Sequence, residues 1–180
     1  MGTEIERKFL LRTPPEGVEH TPENDWRLAC RAAGVAGVPF RQGYLSTDPE
    51  RNVRVRLEGE RAKLTIKGRA EGIARREFEF EIPRADADGL FDLCHRPLIE
   101  KTRYTLPING EHVWEIDDFH GDNVGLVVAE IELAHEDEAF ACPAWLGEEV
   151  SHDRRYLNSN LVEAPYASWP EHRPGASPER

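Results

Sequence analysis

The chain alternates between charged and apolar residues in one short run after another. With the two-residue period of a β-strand, Glu4, Glu6 and Lys8 share one face of the first run, and Ile5 and Phe9 share the other. Similar alternation predicts strands at residues 4–11, 40–46, 52–58, 62–67, 73–82, 99–106, 113–119 and 126–133. The chain is therefore predicted to be mainly β.

Turn residues and short helical patterns separate the predicted strands. Gly59-Glu60 predicts a turn, and Asn109-Gly110 favours a β-hairpin. Helical patterns occupy residues 25–33, 86–95, 137–141 and 153–161. We expect one domain over residues 1–164 and a disordered tail over residues 165–180, because the tail is rich in Pro, Glu and Ser.

The polar faces of the predicted strands consist almost entirely of Glu, Asp, Lys and Arg. Acidic residues prevail in the runs 4–11 and 126–133, and basic residues prevail in 52–58, 62–67 and 99–106. One interpretation is an ordinary antiparallel sheet with its charged face in water. Charged faces in water usually also carry Ser, Thr, Asn and Gln. The segregation therefore favours a closed sheet whose charged interior holds an ion or a polyanion.

Composition narrows the class of protein. The formal net charge of −11 argues against a general nucleic-acid-binding surface, which is normally basic. Cys30, Cys94 and Cys142 show no CxxC spacing and fit reduced thiols in a cytoplasmic protein. No apolar stretch has membrane-spanning length, and the N-terminus lacks the apolar region of a signal peptide. We expect a soluble, cytoplasmic protein with neither a nucleic-acid nor a membrane partner.

The charged residue types point to phosphate chemistry. Carboxylate clusters without matching His or Cys suit Mg²⁺ or Mn²⁺ better than Zn²⁺. Lys and Arg in excess of simple ion pairs suit a triphosphate, whose oxygens they can bind and orient. A metal ion together with cationic side chains is the usual requirement for phosphoryl transfer. The chain has no P-loop, so its phosphate site would be of a different kind.

A series of motifs resembles the CYTH superfamily of triphosphate tunnel metalloenzymes. The opening EIERKFL carries the ExExK signature of that superfamily. Further motifs follow in the same order: RQGYLS at 41–46, VRVR at 53–56, LTIKG at 64–68, RREFEFEI at 75–82, EKTRY at 100–104, EIDDFHG at 115–121, AEIEL at 129–133 and EEVSHDRRYLN at 148–158. The likeness extends to about Val162 and is greatest to short bacterial members that hydrolyse inorganic tripolyphosphate.

The resemblance implies a fold and a set of ligand-binding residues. The implied fold is α+β but mainly β, an eight-stranded antiparallel closed barrel that forms a tunnel, with flanking helices. The implied ligands of Mg²⁺ or Mn²⁺ are Glu4, Glu6, Asp117, Glu130 and Glu132. The implied triphosphate-binding residues are Arg54, Arg56, Lys67, Arg75, Lys101, Arg103 and Arg155.

The resemblance also implies a catalytic pair, Tyr44 and Lys8. In similar members a tyrosine of the QGYL motif pairs with the lysine of the signature. Lys8 would lower the pKa of Tyr44, so that Tyr44 could act as the general base toward the attacking water. From the residues alone, a strand aromatic that merely packs is the alternative interpretation of Tyr44.

The predicted function is metal-dependent hydrolysis of a triphosphate, with inorganic tripolyphosphate cleaved to pyrophosphate and phosphate, or with nucleoside triphosphates as substrates. One alternative is an adenylate cyclase of the class IV type, which shares the ExExK opening. Another is a non-catalytic module that binds polyphosphate or a nucleotide. The outward apolar strand faces would need a cover, either helices or a second copy in a homodimer.

Overall fold

The computed structural model describes residues 5–71, 74–108, 110, 112–135 and 137–170. The strands are β1 (Ile5–Leu11), β2 (Val38–Ser46), β3 (Arg51–Glu58), β4 (Arg61–Glu71), β5 (Ala74–Ile82), β6 (Ile99–Ile108), β7 (His112–Phe119), β8 (Val127–Leu133) and β9 (Leu146–Glu149). The α-helices are α1 (Trp26–Ala32), α2 (Arg84–Phe91) and α3 (Asn158–Glu163). None of these helices is long and apolar enough to cross a membrane.

The strands form one antiparallel sheet in the order β5-β4-β3-β2-β6-β7-β8-β1-β9. The predicted mainly β, antiparallel fold with helices is therefore confirmed. Two details of the prediction are wrong. Over the described part of the chain the sheet has nine strands rather than eight, and no hydrogen-bonded pairing joins its end strands into a closed barrel. The four-residue strand β9 lies at one end of the sheet, and the nine-residue strand β5 lies at the other.

Packing changes three of the predicted helical segments. The described residues between 137 and 141 form no helix. Instead, the Phe140 side chain packs against Phe9 and Trp114, with centroid distances of 6.0 and 5.7 Å. The segment 153–161 is a 3₁₀ turn followed by α3. Helix α2 ends at Phe91, four residues before the predicted end, since His95 donates a backbone hydrogen bond to Tyr44 instead of continuing the helix.

The predicted disordered tail begins too early. Residues 166–168 form a 3₁₀ turn, and Trp169 is only 5% exposed. Its ring contacts Tyr156 and Tyr166, with centroid distances of 5.1 and 5.0 Å, so aromatic packing holds this segment in place. Residues 171–180 of the predicted tail lie outside the described residues.

The apolar strand faces point outward, as the alternation predicts, and helices cover part of them, whereas the apolar face of β5 remains about half exposed. Trp26 of α1 is buried and meets Tyr104 of β6 at a centroid distance of 5.3 Å. Phe91 of α2 is buried in one cluster with Val55 and Leu57 of β3. The opposite faces of the same strands are thereby left to the interior of the curved sheet, where the charged residues lie.

Gly43 allows a close approach that fixes the backbone of β2. A Cβ atom at this position would lie 2.7 Å from both Cys94 Sγ and Leu98 Cδ2. Because glycine has no side chain, the segment after α2 can lie directly on β2. The His95 N–H then donates to the Tyr44 carbonyl at 2.9 Å. This contact positions the backbone of the predicted catalytic tyrosine.

Candidate active site

A cavity of about 880 Å³ occupies the charged inner face of the sheet. Its ionisable lining comprises Glu6, Lys8, Tyr44, Arg54, Arg56, Lys67, Glu77, Glu79, Lys101, Arg103, His112, Glu115, Glu130, Glu132 and Glu138. Most predicted site residues are therefore brought together in one place. Glu4 and the side chain of Arg75 lie outside the described residues, and Asp117 and Arg155 lie away from the lining.

One wall of the cavity, formed by β1, β6, β7 and β8, contains a buried ion-pair network. Asp117 has no exposed surface and accepts hydrogen bonds from Lys101 Nζ at 2.5 Å and from two nitrogens of Arg103 at 2.7 Å each. Arg103 Nη2 also lies 3.2 Å from Glu130, whose other oxygen is 2.7 Å from Lys8 Nζ. These five side chains, called here the buried network, form one connected set.

The buried network favours the charged state of four of its five members, whereas burial lowers the pKa of Lys101 despite the charge of Asp117. Burial alone would raise the pKa of Asp117, but Lys101 and Arg103 outweigh it, and the pKa is lowered. Glu130 behaves similarly: burial acts to raise its pKa, and the charge of Lys8 overcomes this. For Lys8, burial acts to lower the pKa, but Glu130 and Glu6 raise it overall. Predicted ligands of metal and phosphate are thus already paired with one another.

The opposite wall, formed by β3, β4 and β5, carries more accessible ion pairs. Lys67 lies 2.7 Å from Glu77, and Lys63 lies 2.9 Å from Glu79. Arg56 pairs with Glu58 and lies 3.6 Å from Glu79. We call this set the open wall. Lys63 forms ion pairs here although the sequence analysis gave it no role. Its place on the same strand face as Lys67 could have identified it.

Two neighbouring guanidinium groups of the open wall retain unused donors. The Nε atoms of Arg54 and Arg56 are buried, and neither has a hydrogen-bond acceptor among the described residues. Arg54 Nη2 donates to Thr65 Oγ1 at 3.4 Å, and the Arg54 side chain also forms a hydrogen bond with Tyr44. Burial and then the adjacent charge of Arg54 lower the pKa of Arg56, so the two cations destabilise each other. An anion between them would satisfy both.

Tyr44 lies at the boundary between the charged cavity and an apolar cluster. It is 4% exposed and packs in one cluster with Leu161, Val162 and Trp169 of the C-terminal segment. Its hydroxyl accepts a hydrogen bond from Gln42 Nε2 at 3.3 Å. Gln42 was missed by the sequence analysis, although its position two residues before Tyr44 puts both on the same strand face.

Lys8 acts to lower the pKa of Tyr44, as predicted, but the net shift of that pKa is upward. Burial raises the pKa of Tyr44, and the opposing charges of Arg54, Lys8 and Arg56 do not overcome it. Within the described residues Lys8 Nζ bonds to Glu130 and to the carbonyl of Tyr156 at 3.4 Å rather than to Tyr44. The apolar cluster is the physical reason, because it removes water from one side of the phenol.

Arg155 does not reach the cavity. Its guanidinium lies 2.7 Å from Asp153 and stacks over Trp169 at 4.8 Å from the ring centroid. It lines a second, smaller cavity of about 460 Å³ beside Trp169. Aromatic stacking on Trp169 thus keeps Arg155 out of the cavity lining, and its predicted contact with the triphosphate stays a prediction.

The carboxylates offer the donor type that Mg²⁺ and Mn²⁺ prefer. Glu6 and Glu132 are paired across β1 and β8, and Glu130 lies on the same inner face. Among the described residues, however, no three His, Cys, Asp or Glu side chains stand together in an arrangement that could hold a metal ion. Asp117 is saturated by Lys101 and Arg103. The chemistry of the donors thus fits a hard metal ion, and the predicted metal remains a prediction.

Known proteins resemble this chain over most of its length. A family model of the CYTH domain matches residues 2–163. The inorganic triphosphatase of Acetivibrio thermocellus is 42% identical over 172 residues, which cover 95% of this chain and 100% of that protein. The inorganic triphosphatase of Nitrosomonas europaea is 36% identical over 163 residues, which cover 89% and 97% of the two chains. A crystal structure of an inorganic triphosphatase matches with a TM-score of 0.63 and 34% identity, covering 90% of this chain and 95% of that one. The chain belongs to the CYTH domain family, as its motifs predict.

Proposed function

We propose that the cavity binds inorganic tripolyphosphate and that the protein hydrolyses it to pyrophosphate and phosphate. The observation that carries the proposal is the pair of buried, unused Nε donors on Arg54 and Arg56 in the cavity wall. Buried donors cost free energy unless an acceptor reaches them, and phosphate oxygens are strong acceptors for guanidinium groups. The relatives named as inorganic triphosphatases support the same substrate class.

We propose Mg²⁺ or Mn²⁺ as the metal, held by Glu6, Glu130 and Glu132 together with Glu4. A bound divalent ion would neutralise phosphate charge and polarise the phosphoryl group. Asp117 lies behind the cavity lining, where its hydrogen bonds hold Lys101 and Arg103 in position. Binding a metal at Glu130 would require Lys8 to exchange its carboxylate partner.

In the proposed reaction Tyr44 accepts the proton of the attacking water. The water oxygen forms a bond to the terminal phosphorus, the bond to the bridging oxygen breaks, and pyrophosphate leaves. Arg54 lies opposite Tyr44 in the β2–β3 register, and its charge favours the phenolate. Since burial raises the pKa of Tyr44, the ionised fraction at neutral pH is small. Hydrolysis should therefore accelerate with pH, by up to about tenfold per pH unit below that pKa.

The test is phosphate release from tripolyphosphate and from ATP, with Mg²⁺ and then Mn²⁺, by wild type and Tyr44→Phe. Loss of a general base should lower kcat by about 10²–10⁴-fold. Tyr104→Phe is the matched control, because Tyr104 packs against Trp26 on the outer face. Activity that survives in Tyr44→Phe would remove the tyrosine from its role but keep the reaction.

Other outcomes would support the alternative functions. If wild type releases phosphate from neither substrate, the hydrolase proposal is wrong. Cyclic AMP formed from ATP would indicate a cyclase, and tight tripolyphosphate binding without turnover would indicate a binding module. The binding module has no turnover, so it predicts no rise of activity with pH.

A further inference from the structure

We infer that Gln42 is a positioning residue for Tyr44, holding its phenolic oxygen in the orientation that proton transfer requires. The inference rests on the proposed function of the cavity. The Gln42 side chain is 1% exposed, it lines the cavity, and its Nε2 donates to Tyr44 Oη at 3.3 Å. No motif assigned Gln42 a role, and packing alone does not explain a buried amide at this place.

The surroundings of Gln42 show why a neutral donor is useful there. Gln42 lies opposite Arg56 on β3 and opposite Ile99 on β6. A carboxamide supplies an N–H donor without adding a charge beside the Arg54–Arg56 pair, whose members already destabilise each other. A buried carboxamide is costly unless hydrogen-bonded, so its bond to Tyr44 fixes both side chains.

The hydrogen bond has a direct consequence for the proton on Tyr44. Because Nε2 occupies one acceptor site of the phenolic oxygen, the O–H of the neutral phenol must point away from Gln42. Donation to a phenolate is stronger than donation to a phenol, so Gln42 favours the ionised form against the effect of burial. The water proton passes to Tyr44 Oη, and Gln42 neither gains nor loses a proton.

Tyr44 is held at its other end as well. Its carbonyl accepts a hydrogen bond from the His95 N–H at 2.9 Å, across the contact that Gly43 permits. His95 fixes the backbone, and Gln42 together with the Arg54 side chain holds the hydroxyl, so little freedom remains to the phenol between them. Such preorganisation is what a general base needs to meet a bound water at short distance.

The experiment compares Gln42→Leu and Gln42→Glu with wild type and with Thr102→Val. Gln42→Leu removes the donor, whereas Gln42→Glu replaces it with an acceptor of nearly the same shape. Thr102→Val is the matched control, because it removes a side-chain hydrogen bond to His120 from the outer face of the neighbouring strand β6. We expect kcat for tripolyphosphate to fall about tenfold in Gln42→Leu and further in Gln42→Glu, with KM changed less than about twofold.

A second readout separates positioning from a merely structural role. Protein labelled with ¹³C at the tyrosine ring carbon bearing the hydroxyl allows each phenol to be titrated by NMR, and Tyr44→Phe identifies the Tyr44 signal. The titration of Tyr44 should move to higher pH in Gln42→Leu and furthest in Gln42→Glu, and it should stay in place in Thr102→Val. The alkaline shift should appear in the pH profile of kcat/KM as well.

The outcomes distinguish this inference from the proposed function. A fall in kcat with an unmoved Tyr44 titration would overturn it, and so would unchanged kcat together with an unmoved titration. If wild type hydrolyses neither tripolyphosphate nor ATP, the proposed function fails, yet the titration still tests the Gln42–Tyr44 contact. If Gln42→Leu does not fold, the better-matched Gln42→Glu decides the question by the same two measurements.

Discussion

The two walls of the cavity are built from the same sequence pattern but differ in how their charges are held. In the buried network, Asp117 and Lys101 have side chains that are 0% and 2% exposed. In the open wall, Lys67 and Glu77 are 25% and 35% exposed. Both walls alternate charged and apolar residues, so alternation by itself does not decide how strongly a charge is held.

The difference in burial gives the two walls different tasks. Inside the buried network each carboxylate has cationic partners and little or no exposed surface, so removal of one partner leaves an uncompensated charge. Along the open wall, solvent screens the more exposed pairs, such as Lys67–Glu77, and a partner there can be exchanged at small cost. Exchange of a carboxylate partner for another anion should therefore cost less along the open wall than in the buried network.

The largest expected effect breaks the buried network. Asp117→Asn should lower the free energy of unfolding by about 3–5 kcal/mol, since Lys101 and Arg103 would lose their shared carboxylate. Glu79→Gln, the matched change in the open wall, should cost less than about 1 kcal/mol. Urea unfolding of both variants measures the two values. Equal losses would contradict the distinction between the walls.

The next effect concerns ligand binding by the open wall. Arg56→Ala should weaken tripolyphosphate binding by about 10–100-fold, as expected for loss of one charge-assisted hydrogen bond. Its melting temperature should change little, because Lys63 remains 3.3 Å from Glu58. Isothermal titration with tripolyphosphate gives the affinity.

Arg61→Ala is the control for that experiment. Arg61 pairs with Glu81 at 2.9 Å, its side chain is 66% exposed, and it lies outside the cavity lining. Removal of its charge should leave tripolyphosphate affinity unchanged. If both variants weaken binding equally, the effect is general electrostatic attraction rather than a contact in the cavity.

The inward charges were predictable because strand alternation is a local property. Glu6, Lys8, Arg54 and Glu130 all face the cavity, as a two-residue period requires. The hairpin turn at Gly59, which has a φ of 58°, follows from local chain geometry in the same way. Such features depend on residues close together in the sequence.

The remaining features depend on contacts between distant segments. Strand β9 has no alternation to reveal it, and it forms because Leu146 pairs with Leu11 of β1 beside the buried Trp145. Arg155 is turned from the cavity by Trp169, in a segment predicted to be disordered. The raised pKa of Tyr44 similarly comes from an apolar cluster contributed by the C-terminal segment. No pattern around each residue alone contains this information.

The smallest expected effect on stability comes from an exposed ion pair on β1, a strand that carries both a buried and an exposed charge. Lys8 faces inward and is buried, whereas Arg7 faces outward and donates from Nε to Glu149 at 2.9 Å. The Arg7 hydrogen bond lowers the pKa of Glu149 from its usual 4.5 to about 2. A lowered folded-state pKa means that the contribution to stability is complete above about pH 4.5 and disappears as the pH falls toward 2.

Glu149→Gln should therefore lower stability at pH 7 by no more than about 1 kcal/mol, because both side chains are about one-third exposed and screened by solvent. The difference from wild type should shrink below pH 4.5 and also in high salt. Glu60→Gln is the control, since Glu60 pairs with Arg84 but is 90% exposed. Thermal unfolding between pH 7 and pH 3 measures the difference. A loss of several kcal/mol that persists at low pH would mean that this outward pair behaves like the buried network, and burial would then not be what separates the two kinds of charge.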